Sequence, residues 1–302
     1  MRVSKRICRF YLPDQGARVG LIEDESVHDL TASDLAPFAT LTALLQASTV
    51  QPVGAQLQGI ALSDLPVYAY TMLDVTPDDS GPHLLPPVDW QEVWAAGVTY
   101  AWSREARVRE SKSRECYVHV YDAERPELFF KSLGEKAIGP NDWIGLRGDS
   151  RWSVPEPELA LVVNPAMQIV GYTICDDVSS RDIEGENPLY LPQAKIYRHA
   201  CALGPVITLA DDAMDGRDLN VRLAVERDGD CIFAGETSTG QMHRRLEELV
   251  GFLARYDEFP YGVVLSTGTG IVPGDDFALH DGDEVVIEIE AIGVLRNSVR
   301  QM

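Results

Sequence analysis

The segment from Pro155 to Asp177 constrains this chain more than any other. Pro155-Glu156-Pro157-Glu158 leads into the apolar run Leu159–Val163, a turn forms near Asn164-Pro165, and a second apolar run, Ile169–Cys175, ends at Asp176-Asp177. Two apolar runs around a turn predict a buried hairpin. On an extended strand, residues i and i+2 face the same way with Cα atoms roughly 6.5–7 Å apart. Glu156 and Glu158 therefore converge on one point, and the hairpin returns Asp177 towards them. Carboxylates gathered at the edge of an apolar sheet repel one another unless a cation holds them. An all-oxygen donor set suits Mg²⁺, with Mn²⁺ or Ca²⁺ as alternatives, rather than zinc. A Glu-x-Glu motif alone is weak evidence, and its plain reading is a solvated strand start.

A formal charge of −21 over 302 residues argues against binding to a phosphate backbone or an anionic membrane, so neither nucleic acid nor membrane is an expected partner. The five cysteines are odd in number, lack a C-x-x-C spacing and follow no hydrophobic signal core, which fits reduced thiols in a cytoplasmic protein. No apolar run reaches the roughly 20 residues of a membrane span.

Residues 1 to about 85 read as a small α+β module. Ile7–Tyr11, Ala17–Ile22 and Val27–Leu30 suggest strands, and Leu41, Leu44 and Leu45 mark one face of a short helix capped from Thr40. Pro77-Asp78-Asp79-Ser80-Gly81-Pro82 and Pro86-Pro87 break regular structure and suggest a boundary, with a larger domain over 86–302. In that domain, Arg104–Glu115 alternates in charge, as a solvated helix does. Glu127 and Lys131 lie four apart around Leu128-Phe129-Phe130. On a strand they share a face and can enter one pocket, although a surface ion pair fits the same spacing. Arg181 and Asp182 suggest an ion pair bracing the carboxylate loop. Val221, Leu223 and Val225 alternate before Asp228-Gly229, a hairpin signal, and Leu246, Leu249, Val250 and Leu253 form a helical stripe expected in the core. Thr267-Gly268-Thr269-Gly270 is a glycine turn suited to holding a carboxylate, and it lacks the spacing of a nucleotide loop.

The ordered motifs Glu124–Lys131, Pro155–Ala160, Gly171–Asp182, Glu186–Tyr197 and Thr267–Gly274 resemble the fumarylacetoacetate hydrolase superfamily, from about Val93 to Val294. Within it they are most similar to a branch that dehydrates 2-keto-3-deoxypentonates. The resemblance implies a mostly β, α+β fold: a mixed β-roll or β-sandwich C-terminal domain beside the smaller N-terminal α+β domain. It also implies a metal held by Glu156, Glu158 and Asp177, proton transfers by Lys195 and Glu127, and substrate contacts from Lys131, Tyr100, Ser103 and Thr269. A homodimer or homotetramer and a mobile segment over the active site, near Arg104–Glu115, follow from the same resemblance. Hydrolytic members carry Asn-Tyr-x-x-His where this chain has Thr99-Tyr100-Ala101-Trp102-Ser103, and serine is a poor base near neutral pH.

The chemistry that follows starts with a 2-oxo acid. A dication polarises its carbonyl, removal of a C3 proton gives an enolate, and expulsion of a C4 hydroxyl followed by tautomerisation turns a 2-keto-3-deoxypentonate of the arabinonate or xylonate type into 2,5-dioxopentanoate. Other reactions of the superfamily on 2-oxo acids (isomerisation, decarboxylation, hydration, acylpyruvate cleavage) and a non-catalytic metal-binding module are the alternatives. Which of Lys195 and Glu127 is acid and which is base stays open at this level.

Overall fold

The computed structural model describes residues 4–110, 119–211 and 214–302. In chain order its strands are Arg6–Leu12 (β1), Gly16–Glu23 (β2), Ser26–Asp29 (β3), Val67–Ala69 (β4), His83–Leu85 (β5), Glu92–Gly97 (β6), Glu127–Leu133 (β7), Trp143–Leu146 (β8) and Ser153–Val154 (β9). Then follow Pro157–Val163 (β10), Ile169–Asp177 (β11), Ser179–Ser180 (β12), Cys201–Leu209 (β13), Asn220–Arg227 (β14), Asp230–Ser238 (β15), Val263–Ser266 (β16), Glu284–Ile289 (β17) and Gly293–Gln301 (β18). The helices are Leu41–Ala47 (α1), Val53–Gln56 (α2), Tyr70–Leu73 (α3), Ala101–Glu110 (α4), Arg181–Glu186 (α5), Leu191–Lys195 (α6) and Leu246–Leu253 (α7). The fold is mostly β, as the sequence predicts.

An 11-stranded sheet runs β4-β3-β2-β1-β13-β11-β10-β16-β6-β7, with β5 also paired to β1. A 5-stranded sheet runs β15-β14-β17-β18-β8. The strands of the leading module thus enter the large sheet through the antiparallel β1–β13 pair. Their positions agree with the sequence reading to within a residue or two, and Thr40 caps α1 by accepting from the Ala43 amide at 3.0 Å.

The β10–β11 hairpin lies at the centre of the large sheet, and every residue of β10 is buried. Both of its faces are covered. Leu159, Leu161 and Val163 join Val221, Leu223, Val285 and Ile287 of the 5-stranded sheet in one core. Val162 packs instead with Leu41, Leu44 and Leu45 of α1. Two covered faces explain an unbroken apolar run where a half-exposed strand would alternate. Truncating one such side chain, as in Leu161→Ala, would cost about 2–5 kcal/mol.

At the β14–β15 turn, Asp228 and Gly229 both adopt positive φ (53° and 85°), the conformation of the tight hairpin expected there. The four apolar residues of the α7 stripe are all buried. Helix α4 occupies the first part of the charged Arg104–Glu115 segment, and the rest of that segment lies outside the described residues. Among the described residues, no helix is long and apolar enough to cross a membrane.

Candidate active site

Glu156 precedes β10 and Glu158 is its second residue, so their carboxylates share a face. Strand β11 returns antiparallel and ends at Asp177, whose amide donates to the Glu156 carbonyl at 3.0 Å. Glu156, Glu158 and Asp177 are at most 3% exposed, and one oxygen from each lies within 4.8 Å of the others. Among the described residues this is the cluster able to hold a metal ion.

The protein surrounds each carboxylate differently. Oε2 of Glu158 accepts from the Gly268 amide at 2.8 Å and from the Ser266 hydroxyl. Burial, together with the charges of Asp177 and Glu156, pushes the Glu158 carboxyl well above its usual range. Glu156 goes the other way. Burial opposes its charge, but Lys195, Arg181 and Arg107 outweigh burial and hold it well below that range. Its Oε1 accepts from Ser179 Oγ at 2.7 Å, Arg181 Nη2 at 2.9 Å and Arg107 Nη2 at 3.2 Å, and its Oε2 from Lys195 Nζ at 2.9 Å. A buried, like-charged oxygen cluster with Glu158 still uncompensated fits a hard dication such as Mg²⁺.

Lys195 closes α6 and also reaches Asp177 Oδ2 at 2.7 Å, with its ammonium 5.5 Å from the centre of the Phe129 ring. Burial works to lower its pKa, yet Asp177 and Glu156 prevail and raise it, so the lysine holds its proton in this arrangement. Glu127, at the start of β7, faces the same enclosed cavity of about 20 Å³ as the triad, Lys195, Ser103, Arg107, Arg181, Glu184 and Thr269. Burial raises the pKa of Glu127, with Arg107 acting in opposition.

The remaining expected contacts divide. Ser103 and Thr269 line the cavity, with their hydroxyls bonded to backbone: Ser103 donates to the Tyr100 carbonyl at 2.8 Å and Thr269 to that of Ile271 at 3.1 Å. Tyr100 is buried beside them, and burial and Glu158 raise its phenol. Lys131 is placed differently from the expectation. The β6–β7 register passes from Val93–Ser132 to Trp94–Phe130, which leaves Lys131 as the extra residue of a bulge. Its ammonium lies behind Asp177 and does not line the cavity.

The expected Arg181–Asp182 brace also takes another form. Arg181 pairs with Glu156, while Asp182 accepts from Ser150 Oγ at 2.6 Å and the Arg151 amide at 2.8 Å. The Thr267–Gly270 turn does hold a carboxylate, but it is the protein's own Glu158. Arg107 and Glu184, an ion pair linking α4 to α5, escaped the sequence reading. The available signal for Glu184 was spacing, since it follows Arg181 by three, one helical turn, while no local pattern marked Arg107.

A family model for the fumarylacetoacetate (FAA) hydrolase C-terminal region matches residues 92–300, the span that carries every side chain of this site. The chain belongs to the fumarylacetoacetate hydrolase family. Within that family it is 43% identical, over 93% of its length and 95% of the relative's, to a probable 2-keto-3-deoxyxylonate dehydratase of Haloferax volcanii. It is 45% identical, over 71% of its length and 74% of the relative's, to the 2-dehydro-3-deoxy-D-arabinonate dehydratase of Saccharolobus solfataricus. Its fold superposes with a TM-score of 0.79 on a 2-keto-3-deoxy-D-arabinonate dehydratase solved with magnesium and 2,5-dioxopentanoate, at 34% identity and with 98% of this chain and 99% of that one covered.

Proposed function

We propose that this protein is a magnesium-dependent dehydratase that converts a 2-keto-3-deoxypentonate to 2,5-dioxopentanoate. One observation carries the reading: a buried Glu156–Glu158–Asp177 cluster in a chain alike over 98% of its length to a dehydratase solved with magnesium and that product. In this reading the three carboxylates hold the ion. When bound, it supplies Lewis-acid polarisation of the substrate's C2 carbonyl.

The chain's own residues do the rest. Lys195 and Glu127 form the proton-transfer pair, one serving C3 and the other the departing C4 hydroxyl. Arg181 and Arg107 keep Glu156 ionised, and Gly268 and Ser266 orient Glu158. Ser103 and Arg107, both on α4, cover the cavity and exclude water. Tyr100, Ser103 and Thr269 are proposed to contact the substrate. Serine at position 103, where hydrolytic members have histidine, favours dehydration over carbon–carbon hydrolysis. We extend the proposal to a homodimer or homotetramer in the cytoplasm, where the free thiols of Cys8, Cys175, Cys201 and Cys231 are at home.

The test is an assay of purified protein with Mg²⁺ against a panel of 2-oxo acids. Release of 2,5-dioxopentanoate from 2-keto-3-deoxypentonates, abolished by chelator, is the expected result. Turnover confined to dicarboxylic 2-oxo acids or acylpyruvates would replace this reading with another of the family's reactions.

A further inference from the structure

Lys131 binds three partners from different parts of the site. Its Nζ lies 2.5 Å from Asp177 Oδ1, donates to the Lys195 carbonyl at 2.7 Å and donates to the Val178 carbonyl at 3.0 Å. Two of the ammonium's three donors go to backbone carbonyls and its charge is paired with Asp177, so the group is committed to the protein's own atoms. The side chain has no exposed surface. Burying an ion costs several kcal/mol even after relaxation, and an apolar side chain of similar volume would fill the space as well. Packing alone therefore does not account for a lysine here.

The contact with Lys195 supplies the reason. Helix α6 is a single turn, and the last carbonyls of a helix lack partners within it. Lys131 provides a charge-assisted partner for the carbonyl of Lys195, the residue whose own Nζ must meet Glu156 and Asp177. The β7 bulge creates this geometry by turning position 131 towards Asp177 while Glu127 stays in the cavity. We propose that Lys131 is a positioning residue: one buried ammonium that fixes the backbone of Lys195 against Asp177 and thereby aims the Lys195 side chain. The inference rests on the reading of Lys195 as a proton-transfer group.

Two measurements on the full-length protein test it. In the first, Lys131→Met, which keeps the stem and removes the donors, is followed by native-state hydrogen exchange. The Ile196 amide, which closes α6 by donating to the Pro192 carbonyl at 2.8 Å, should exchange at least about tenfold faster than in the wild type while the amides of β14 keep their rates. In the second, kcat for dehydration at saturating Mg²⁺ is measured through a double-mutant cycle with Lys195→Ala. Lys131→Met should lower kcat about 10²-fold on its own and less than about twofold in the Lys195→Ala background, because a residue that acts through Lys195 has nothing left to aim.

Lys131→Gln, a milder change that keeps an amide donor one bond short, carries both measurements should the methionine variant fail to fold. Unchanged exchange at Ile196, or a full kcat loss that persists without the Lys195 side chain, overturns the inference. A wild type that dehydrates no 2-keto-3-deoxypentonate sinks the proposed function instead, and the exchange measurement then decides the tether alone.

Discussion

Gly97 lies directly beneath the carboxylate of Glu127. A methyl group added at residue 97 would stand 2.1 Å from Oε2 and 2.6 Å from Cδ of that side chain. The two residues are paired across β6 and β7, and the missing side chain at 97 leaves the space that Glu127 uses to reach the cavity. One glycine on one strand thus sets the position of an acid on the next.

Gly97→Ala should therefore displace Glu127 and leave the triad in place. With Glu127 in its proposed proton-transfer role, the expected outcome is a fall in kcat of about 10²-fold, the scale of loss when a reacting group is misplaced by an ångström. Metal affinity, read by calorimetry, should be unchanged. A variant with wild-type turnover would show that Glu127 does not need its present position.

Glu158→Gln removes one negative charge from the triad and keeps the volume. Its amide oxygen can still accept from Gly268 and Ser266, so the local fold should persist. Loss of an outer-shell partner typically weakens metal binding roughly 10–100-fold, and loss of a direct ligand should exceed that. Titration of Mg²⁺ or Mn²⁺ by calorimetry checks the prediction. Added Mg²⁺ should also stabilise the wild type, by about 2.7 kcal/mol at a concentration 100 times Kd, seen as a higher melting temperature, and should do so much less in the variant.

Cys8 supplies a pH prediction remote from the site. Burial pushes its thiol from 9.0 up to about 12. The folded chain keeps this proton between those values while the unfolded chain loses it. The unfolded state then binds fewer protons, and stability falls as pH rises through that window. The share of Cys8 is about 1.4 kcal/mol per pH unit. Denaturant titrations at pH 9 and above should show a slope shallower by that amount in Cys8→Ala, and equal slopes would count against the assignment.

The hairpin that carries the triad was legible because its apolar runs are continuous and its turn is marked by Asn164-Pro165. Asn164 in fact closes that turn by accepting from the Ala166 and Gln168 amides, both at 3.0 Å. Helices α1 and α7 were legible from caps and stripes, which are local signals. Lys131 was misplaced because a bulge depends on the partner strand, and strand alternation assumes none. The Arg107 and Arg181 contacts with Glu156 were hidden because each joins separate elements, and a charged residue on a helix usually faces water. Gly268 was recognised as part of a carboxylate-holding turn, but its partner belongs to a strand more than a hundred residues earlier in the chain.

The proposed division of labour between Lys195 and Glu127 leads to the sharpest prediction. As the site stands, Lys195 keeps its proton through Asp177 and Glu156, while burial raises the pKa of Glu127 and makes it a better proton acceptor than a solvated carboxylate. Lys195→Ala and Glu127→Gln should each lower dehydration by about 10²–10⁴-fold, the usual loss for a missing proton-transfer group. Exchange of the substrate's C3 proton with deuterated solvent separates the two roles. The residue that removes this proton is needed for both exchange and dehydration. The residue that protonates the leaving hydroxyl acts later, so its loss should spare exchange and stop water loss. Nuclear magnetic resonance of the substrate during incubation measures exchange, and product formation measures dehydration. One variant should lose both signals and the other only the second. Wild-type rates of both steps in both variants would remove these residues from the chemistry and turn attention to Tyr100, Ser103 and Thr269.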